Sequence, residues 1–176
     1  MKISYSINQN EFLEYQLFTA FRSKNIQQKQ LRGKMLMTFI TAGLGIFLFT
    51  QKEIGLGLYF AFLSVLIFIF HQRYFNFRLK RQYLRYIQSR LKDKLGAKCD
   101  MSFEENQIKV TDSIDTNIHQ TKDIVELAET KLLLFIKFTT GTILFFPKKD
   151  LQRREEFDGV IENYGLKIQS FVDWKY

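Results

Sequence analysis

The stretch from Leu44 to Phe60, LGIFLFTQKEIGLGLYF, decides how this chain folds. Two apolar runs that carry glycines, 35–50 and 54–70, meet here at only three polar residues, Gln51 to Glu53. At ~1.5 Å of helix rise per residue, each run covers roughly 25 Å, near the short end of what spans a hydrocarbon core of about 30 Å. The pattern therefore fits either a transmembrane hairpin or a buried helix pair in a soluble bundle.

The distribution of polar residues favours the membrane hairpin. A helix packed on the outside of a soluble core keeps a polar face toward water, and neither run has one. In a chain of 176 residues, little other protein is left to cover both runs. We therefore predict two transmembrane helices, 35–50 and 54–70, joined by a tip at Gln51 to Glu53.

Small residues occur at a regular spacing in both apolar runs. Thr41 and Gly45 are four residues apart in the first run, and Gly57 and Ala61 are four apart in the second. Such spacing lets two membrane helices approach closely, so these four residues are candidate hairpin contacts. Small residues without a paired role are an equally good interpretation.

The charges predict the orientation of the hairpin. Residues 1–34 carry a net charge of +4, residues 71–98 carry +8, and residues 99–176 carry −4. Because Lys and Arg next to membrane spans stay in the cytoplasm, both termini are expected to be cytoplasmic and the tip lies across the membrane. The start of the chain shows no pattern of a cleavable signal peptide, and a single cysteine, Cys99, excludes an internal disulfide.

The segment 71–98 is predicted to continue the second helix as a basic amphipathic juxtamembrane helix. Its apolar stripe consists of Phe77, Leu84, Ile87, Leu91 and Leu95. To one side of this stripe lie the basic residues Arg78, Arg81, Arg85 and Lys92. Two interpretations fit equally well: contact with anionic lipid headgroups, and determination of topology alone. Binding to nucleic acid is a weaker third interpretation and is not expected.

The first 34 residues predict a strand followed by an amphipathic helix. Ile3, Tyr5 and Ile7 alternate with polar residues, as in a half-buried strand. Asn8 and Glu11 have the spacing of a capping box, so a helix should begin there and run through Lys29. Its aromatic face is expected to pack on the C-terminal domain.

Residues 99–176 show the short alternating runs of a β domain. An antiparallel meander of about six strands is predicted, with Gly141 in a tight turn and Pro147 at the end of the last strand. Asp150 is predicted to cap a final helix that ends at Gly165 and covers the sheet. The six strands are expected within 101–105, 107–113, 116–120, 123–130, 131–138 and 142–146. Together with the predicted helices, these strands make the chain an α+β membrane protein.

The order of these parts resembles the YcxB-like membrane proteins of bacteria. The resemblance lies in YSINQNEFLEYQLF, the two apolar helices, the basic helix behind them, DIVELAET, the hydrophobic hairpin and FFPKKDLQRREEF. It implies a two-helix anchor in the bacterial cytoplasmic membrane and a domain similar to pleckstrin-homology folds, closed by the C-terminal helix. It implies no catalytic residues.

The histidines and acids do not form a catalytic motif. His71 and His119 are far apart in sequence, and neither belongs to a metal-binding spacing, so no metal or cofactor is predicted. Asp112, Asp115 and Asp123 lie near His119, but acids at strand ends favour turns. Cys99 has no neighbouring base and is expected to be an inert thiol.

A group of basic residues surrounds the predicted start of the last helix: Lys148, Lys149, Arg153 and Arg154. Cations near a helix N-terminus suit a phosphate, although solvated surface charge is the favoured interpretation. The sequence therefore predicts a membrane-anchored cytoplasmic module that binds an unidentified protein partner. A tethered ligand-binding or enzymatic domain is the alternative, and a homo-oligomer is compatible with both.

Overall fold

The computed structural model describes residues 1–91, 95–112, 115–151 and 153–174. It is an α+β structure with two long apolar helices and a small sheet domain. The chain divides into two compact units, one formed by Met1–Gln16 with Arg85–Tyr176 and the other by Leu17–Leu84. We call them the β unit and the helical unit. The elements are β1 (Lys2–Ser6), α1 (Gln9–Arg22), α2 (Lys24–Thr50), α3 (Ile54–Arg90), β2 (Lys98–Phe103), β3 (Gln107–Thr111), β4 (Thr116–Gln120), β5 (Ile124–Glu129), β6 (Leu133–Phe138), β7 (Ile143–Pro147), α4 (Arg154–Asn163) and β8 (Ile168–Ser170).

The helical unit is an antiparallel hairpin of α2 and α3. Both helices are long and apolar enough to cross a membrane, and only 6% of the most apolar window of each is buried. The tip predicted at Gln51 to Glu53 is confirmed: Lys52 has a φ of 65°, and the Glu53 N–H donates to the Leu48 carbonyl at 3.1 Å. The second apolar run continues into the basic segment without interruption, but α3 ends at Arg90. The predicted end of this helix at residue 98 is wrong, because Lys98 is the first residue of β2.

The predicted capping box at the start of α1 is confirmed. The Asn8 N–H donates to Glu11 Oε2 at 2.8 Å, and the Glu11 N–H donates to Asn8 Oδ1 at 3.0 Å. This reciprocal pair satisfies two backbone donors that a helix start leaves without partners.

The prediction that this helix continues through Lys29 is wrong. It ends at Arg22, and Ser23 adopts an extended conformation with ψ of 111° before α2 begins. The break is stabilised locally, since Gln27 Nε2 donates to the Phe21 carbonyl at 2.6 Å and so replaces a hydrogen bond that the helix would have supplied.

The β unit contains two four-stranded sheets. The first has the order β1-β2-β3-β4 and is antiparallel throughout. The second has the order β7-β6-β5-β8, in which β8 pairs in parallel with β5. Each of the six predicted strands is present, and β1 joins the first sheet through five registered pairs from Lys2↔Ser102 to Ser6↔Lys98.

Three predicted details of the β domain are wrong. The six strands do not form one meander, because the 3-10 turn Thr121–Asp123 separates β4 from β5 and starts a second sheet. Asp150 does not cap the last helix: it ends a 3-10 turn, and α4 begins at Arg154 after Arg153. The chain also forms β8 after α4, so the helix is not the last element.

Both sheets and α4 share one hydrophobic core. Phe146 of the second sheet, Phe103 of the first and Phe157 of α4 meet edge to face, with ring centroids 5.6 to 6.4 Å apart. Gly165, with φ of +68°, follows the end of α4, and Gly141, with φ of +84°, forms the β6–β7 turn, as predicted. The first half of α1 packs on this unit through Tyr15, whose ring stacks on Phe145 at 4.0 Å.

Candidate functional site

Small residues bring α2 and α3 together near the tip. A methyl group added to Gly45 would lie 3.2 Å from the Gly57 carbonyl oxygen and 3.3 Å from the Ala61 nitrogen. The backbones of the two helices therefore touch at three of the four residues singled out from the sequence. Thr41, the fourth, bonds within its own helix, where its hydroxyl donates to the Met37 and Thr38 carbonyls at 2.9 and 3.0 Å.

Farther from the tip, the two helices leave a groove of about 700 Å³ between them. On α3 its lining changes from Leu66 and Phe70, through His71, to Arg78. On α2 the lining changes in the same direction, from apolar side chains to Lys29. One end of the groove is therefore apolar and the other is cationic.

His71 lies at the transition between the two ends. Its ring stacks on Phe75 with centroids 6.4 Å apart, and its Nε2 would be 3.6 Å from a methyl group added to Gly33. Its Nδ1 is buried and has no hydrogen-bond partner in the part of the chain that the structure describes. The absence of a side chain at Gly33 thus gives the imidazole its place between the helices.

The basic side chains of α3 are exposed. Arg78, Arg81 and Arg85 all extend into open space, but of these only Arg78 lines the groove. Lys92, predicted with them, lies outside the described residues. The predicted apolar stripe of this helix holds in part, since Ile87 is fully buried while Phe77 is 64% exposed.

Each of the four cations near α4 faces a carboxylate. Lys148 pairs with Glu129, Lys149 Nζ lies 2.6 Å from Glu11, Arg153 lies 3.3 Å from Glu156, and Arg154 lies 2.8 Å from Glu129 and 3.0 Å from Asp158. Their charge is thus largely compensated within the β unit, which argues against a phosphate site there.

Glu129 is the centre of this ion-pair network. Its side chain is only 13% exposed and accepts hydrogen bonds from both Lys148 and Arg154. The hydrogen bond from Arg154 is the largest cause that lowers the pKa of Glu129, and the same bond raises the pKa of Arg154. The network joins β5 to α4 and to the turn after β7.

The residues near His119 do not converge on a reactive centre. His119 stacks on Phe138 at 4.8 Å, whereas Asp112 is in the β3–β4 turn and accepts the Asp115 N–H at 2.8 Å. Burial raises the pKa of the Cys99 thiol, which disfavours the nucleophilic thiolate. Within the described residues, no group of three or more His, Cys, Asp or Glu could hold a metal ion.

Two features of the structure were not predicted from the sequence. One is the groove, whose polar end combines residues from two helices that are distant in sequence. The other is the contact of Glu14 with the β5–β6 turn, where Glu14 Oε1 accepts the Thr130 hydroxyl and the Leu132 N–H, the latter at 3.2 Å. An acid on the otherwise aromatic face of α1 was the available signal for this second contact.

Comparison with known proteins gives no significant match to a family model, a curated protein or a solved structure.

Proposed function

We propose that this protein is a membrane-anchored interaction module. The helical unit spans the cytoplasmic membrane of a bacterium twice, and the β unit lies on the cytoplasmic side, where it binds a protein partner. The proposal includes the YcxB-like family and a pleckstrin-homology-like fold for the β unit. The pair of four-stranded sheets around one core, together with α4, supports that fold.

The observation that carries the membrane assignment is the apolar surface of the helical hairpin. Between residues 35 and 70, eighteen large apolar side chains are at least 40% exposed, among them Phe39 at 70% and Phe62 at 64%. Leaving such a surface in water costs on the order of 20 kcal/mol. A typical domain is stabilised by only about 5–15 kcal/mol, so this surface needs an apolar environment.

The orientation is supported by charge. The tip contains one Lys and one Glu, while the segments before α2 and along the end of α3 are rich in Lys and Arg. Lys34, at the edge of the apolar segment, places its ammonium 3.6 Å from the centre of the Phe68 ring. Basic residues of this kind remain on the cytoplasmic side.

Cysteine labelling in intact bacterial cells tests this topology. In a Cys99→Ser background, an impermeant maleimide is expected to label Gln51→Cys at the tip from outside. Lys122→Cys, on the exposed turn before β5, should be labelled only after the membrane is permeabilised. Labelling of Lys122→Cys in intact cells, or recovery of the protein from the soluble fraction, would contradict the proposal.

The edge of the first sheet supports partner binding. β4 is the terminal strand of that sheet, and Ile118 on it is 55% exposed. An exposed edge strand can accept a further strand from another protein through backbone hydrogen bonds. A photo-crosslinking residue at Ile118 is expected to capture a defined partner in membranes, while one at the exposed Glu162 of α4 is not. Equal capture at the two positions would argue against this edge.

A further inference from the structure

We propose that the groove between α2 and α3 binds one anionic phospholipid of the cytoplasmic leaflet. The phosphate lies at the end lined by Lys29 and Arg78, and the acyl chains lie along Met37 and Leu66. This inference rests on the membrane placement proposed above. It goes further by assigning a binding site, a ligand class and named contacts.

The chemistry of the lining follows that of an amphiphile. Along α3 the groove extends from Leu66 to Gln82, which is ~24 Å of helix at 1.5 Å per residue. Because α2 runs antiparallel, its apolar Met37 lies at the apolar end and Lys29 at the cationic end. The two helices thus form one continuous gradient from hydrocarbon to positive charge.

The charge of the groove selects an anion. Lys29 and Arg78 both line it, and none of its lining residues in the described chain is acidic. This differs from the cations near α4, each of which faces a carboxylate. A phosphate between a lysine and an arginine forms charge-assisted hydrogen bonds, and an entirely apolar partner helix would leave both charges without compensation.

The size and position of the groove fit a single lipid. A volume of about 700 Å³ takes the headgroup and the upper part of the acyl chains of one phospholipid, and the chain ends extend into the bilayer. The groove crosses the predicted membrane edge, since its lining includes residues on both sides of the boundaries at residues 35 and 70. His71, near that edge, lines the groove between its apolar and cationic ends.

The test uses the full chain reconstituted in phosphatidylcholine vesicles that contain a few mole per cent of spin-labelled phosphatidylglycerol. The wild type is expected to immobilise this probe more strongly than spin-labelled phosphatidylcholine. Lys29→Gln with Arg78→Gln should weaken that preference by at least about tenfold, because each charge-assisted hydrogen bond to the phosphate that is lost weakens binding by roughly tenfold or more. The matched control, Arg32→Gln with Arg81→Gln, removes the same charge from residues outside the lining, which do not contact the phosphate in the proposed site, and should retain the preference within about twofold.

A second pair of variants tests the apolar end. Met37→Trp fills the groove and is expected to abolish the excess immobilisation of phosphatidylglycerol over phosphatidylcholine, whereas Met35→Trp, outside the lining, leaves that excess unchanged. Equal losses in the two charge variants would overturn the site, because the charges would then act without a specific position. Persistence of the phosphatidylglycerol excess in Met37→Trp would also overturn it, as would a change in subunit number that shows a second copy in the groove.

The same samples separate this inference from the proposed function. If every variant remains in the membrane with Gln51→Cys on the outer side, but lipid preference does not depend on Lys29 and Arg78, only the groove assignment fails. If the wild type does not insert, both proposals fail.

Discussion

Thr130 is a fully buried polar residue at the end of β5. Its hydroxyl bonds to Glu14 and accepts the Leu133 N–H at 3.2 Å, so one side chain satisfies the β5–β6 turn and ties it to α1. Thr130→Val keeps the shape but leaves the Leu133 N–H and the Glu14 carboxylate each without that partner. We expect a loss of about 1–3 kcal/mol in the free energy of unfolding.

The measurement is denaturant unfolding followed by the fluorescence of Trp174, the only tryptophan of the chain. Thr116→Val, which removes an exposed hydroxyl on β4, is the control and should change stability by less than about 0.5 kcal/mol. Equal effects of the two substitutions would show that the Thr130 hydroxyl has no special role.

At the residue scale, Glu129 also makes the stability of the folded state depend on pH. Because the hydrogen bond from Arg154 lowers its pKa when folded, the folded state binds this proton more weakly than the unfolded state does. The resulting stabilisation is complete above the ordinary pKa of 4.5 and is lost as the pH falls through the lowered pKa. We expect Glu129→Gln to lower the melting temperature at neutral pH and to flatten its fall below pH 4.5.

Melting curves followed by Trp174 fluorescence at a series of pH values test this expectation. Glu162→Gln, which removes an exposed acid on α4, should keep the wild-type dependence on pH. If Glu129→Gln showed the full acid destabilisation of the wild type, the pairing with Arg154 would not be its source.

At the scale of elements, the contact between α2 and α3 depends on where the glycines lie rather than on how many there are. Gly45 touches the backbone of α3, whereas a side chain at Gly43 would meet nothing within 4 Å. Gly45→Val should therefore separate the helices and cost about 1–3 kcal/mol, while Gly43→Val should be nearly neutral. Titration of the detergent-solubilised protein with a denaturing detergent measures both, and equal midpoints would exclude the close contact.

The elements that the sequence predicted correctly have strong local signals. The apolar runs predicted α2 and α3, and the capping box of Asn8 and Glu11 predicted the start of α1. Gly141 predicted the β6–β7 turn. The missed elements depend on distant partners. β8 has only three residues and pairs with β5, which lies on the other side of α4 in the chain.

The groove and the break at Ser23 were missed for a similar physical reason. Lys29 and Arg78 line one groove only because the hairpin sets the register of α2 against α3, as the Gly45 contact shows. At Ser23, the side-chain hydrogen bond of Gln27 stabilises a break in a segment whose composition is compatible with a continuous helix. Composition indicated basic residues next to the apolar helices but could not indicate which of them share a cavity.

At the scale of the whole molecule, the β unit is assembled from two separate parts of the chain. Met1–Gln16 supplies β1, and Arg85–Tyr176 supplies the remaining strands. Ile3 and Tyr5 of β1 are buried in the common core, and β1 pairs with β2 along its whole length. The folding of the β unit therefore depends on residues that precede the helical unit.

This arrangement predicts which fragments fold. Joining residues 1–16 to 85–176 through a flexible Gly/Ser linker of about ten residues removes the exposed apolar helices but keeps β1, so the product should be soluble and fold cooperatively. Residues 85–176 alone lack Ile3 and Tyr5 and leave the β2 edge unpaired, so this fragment should be unfolded or aggregated. Circular dichroism and Trp174 fluorescence during denaturation distinguish the two outcomes. A cooperative transition in the shorter fragment would mean that β1 is dispensable, and insolubility of the joined chain would mean that the β unit needs the helical unit in order to fold.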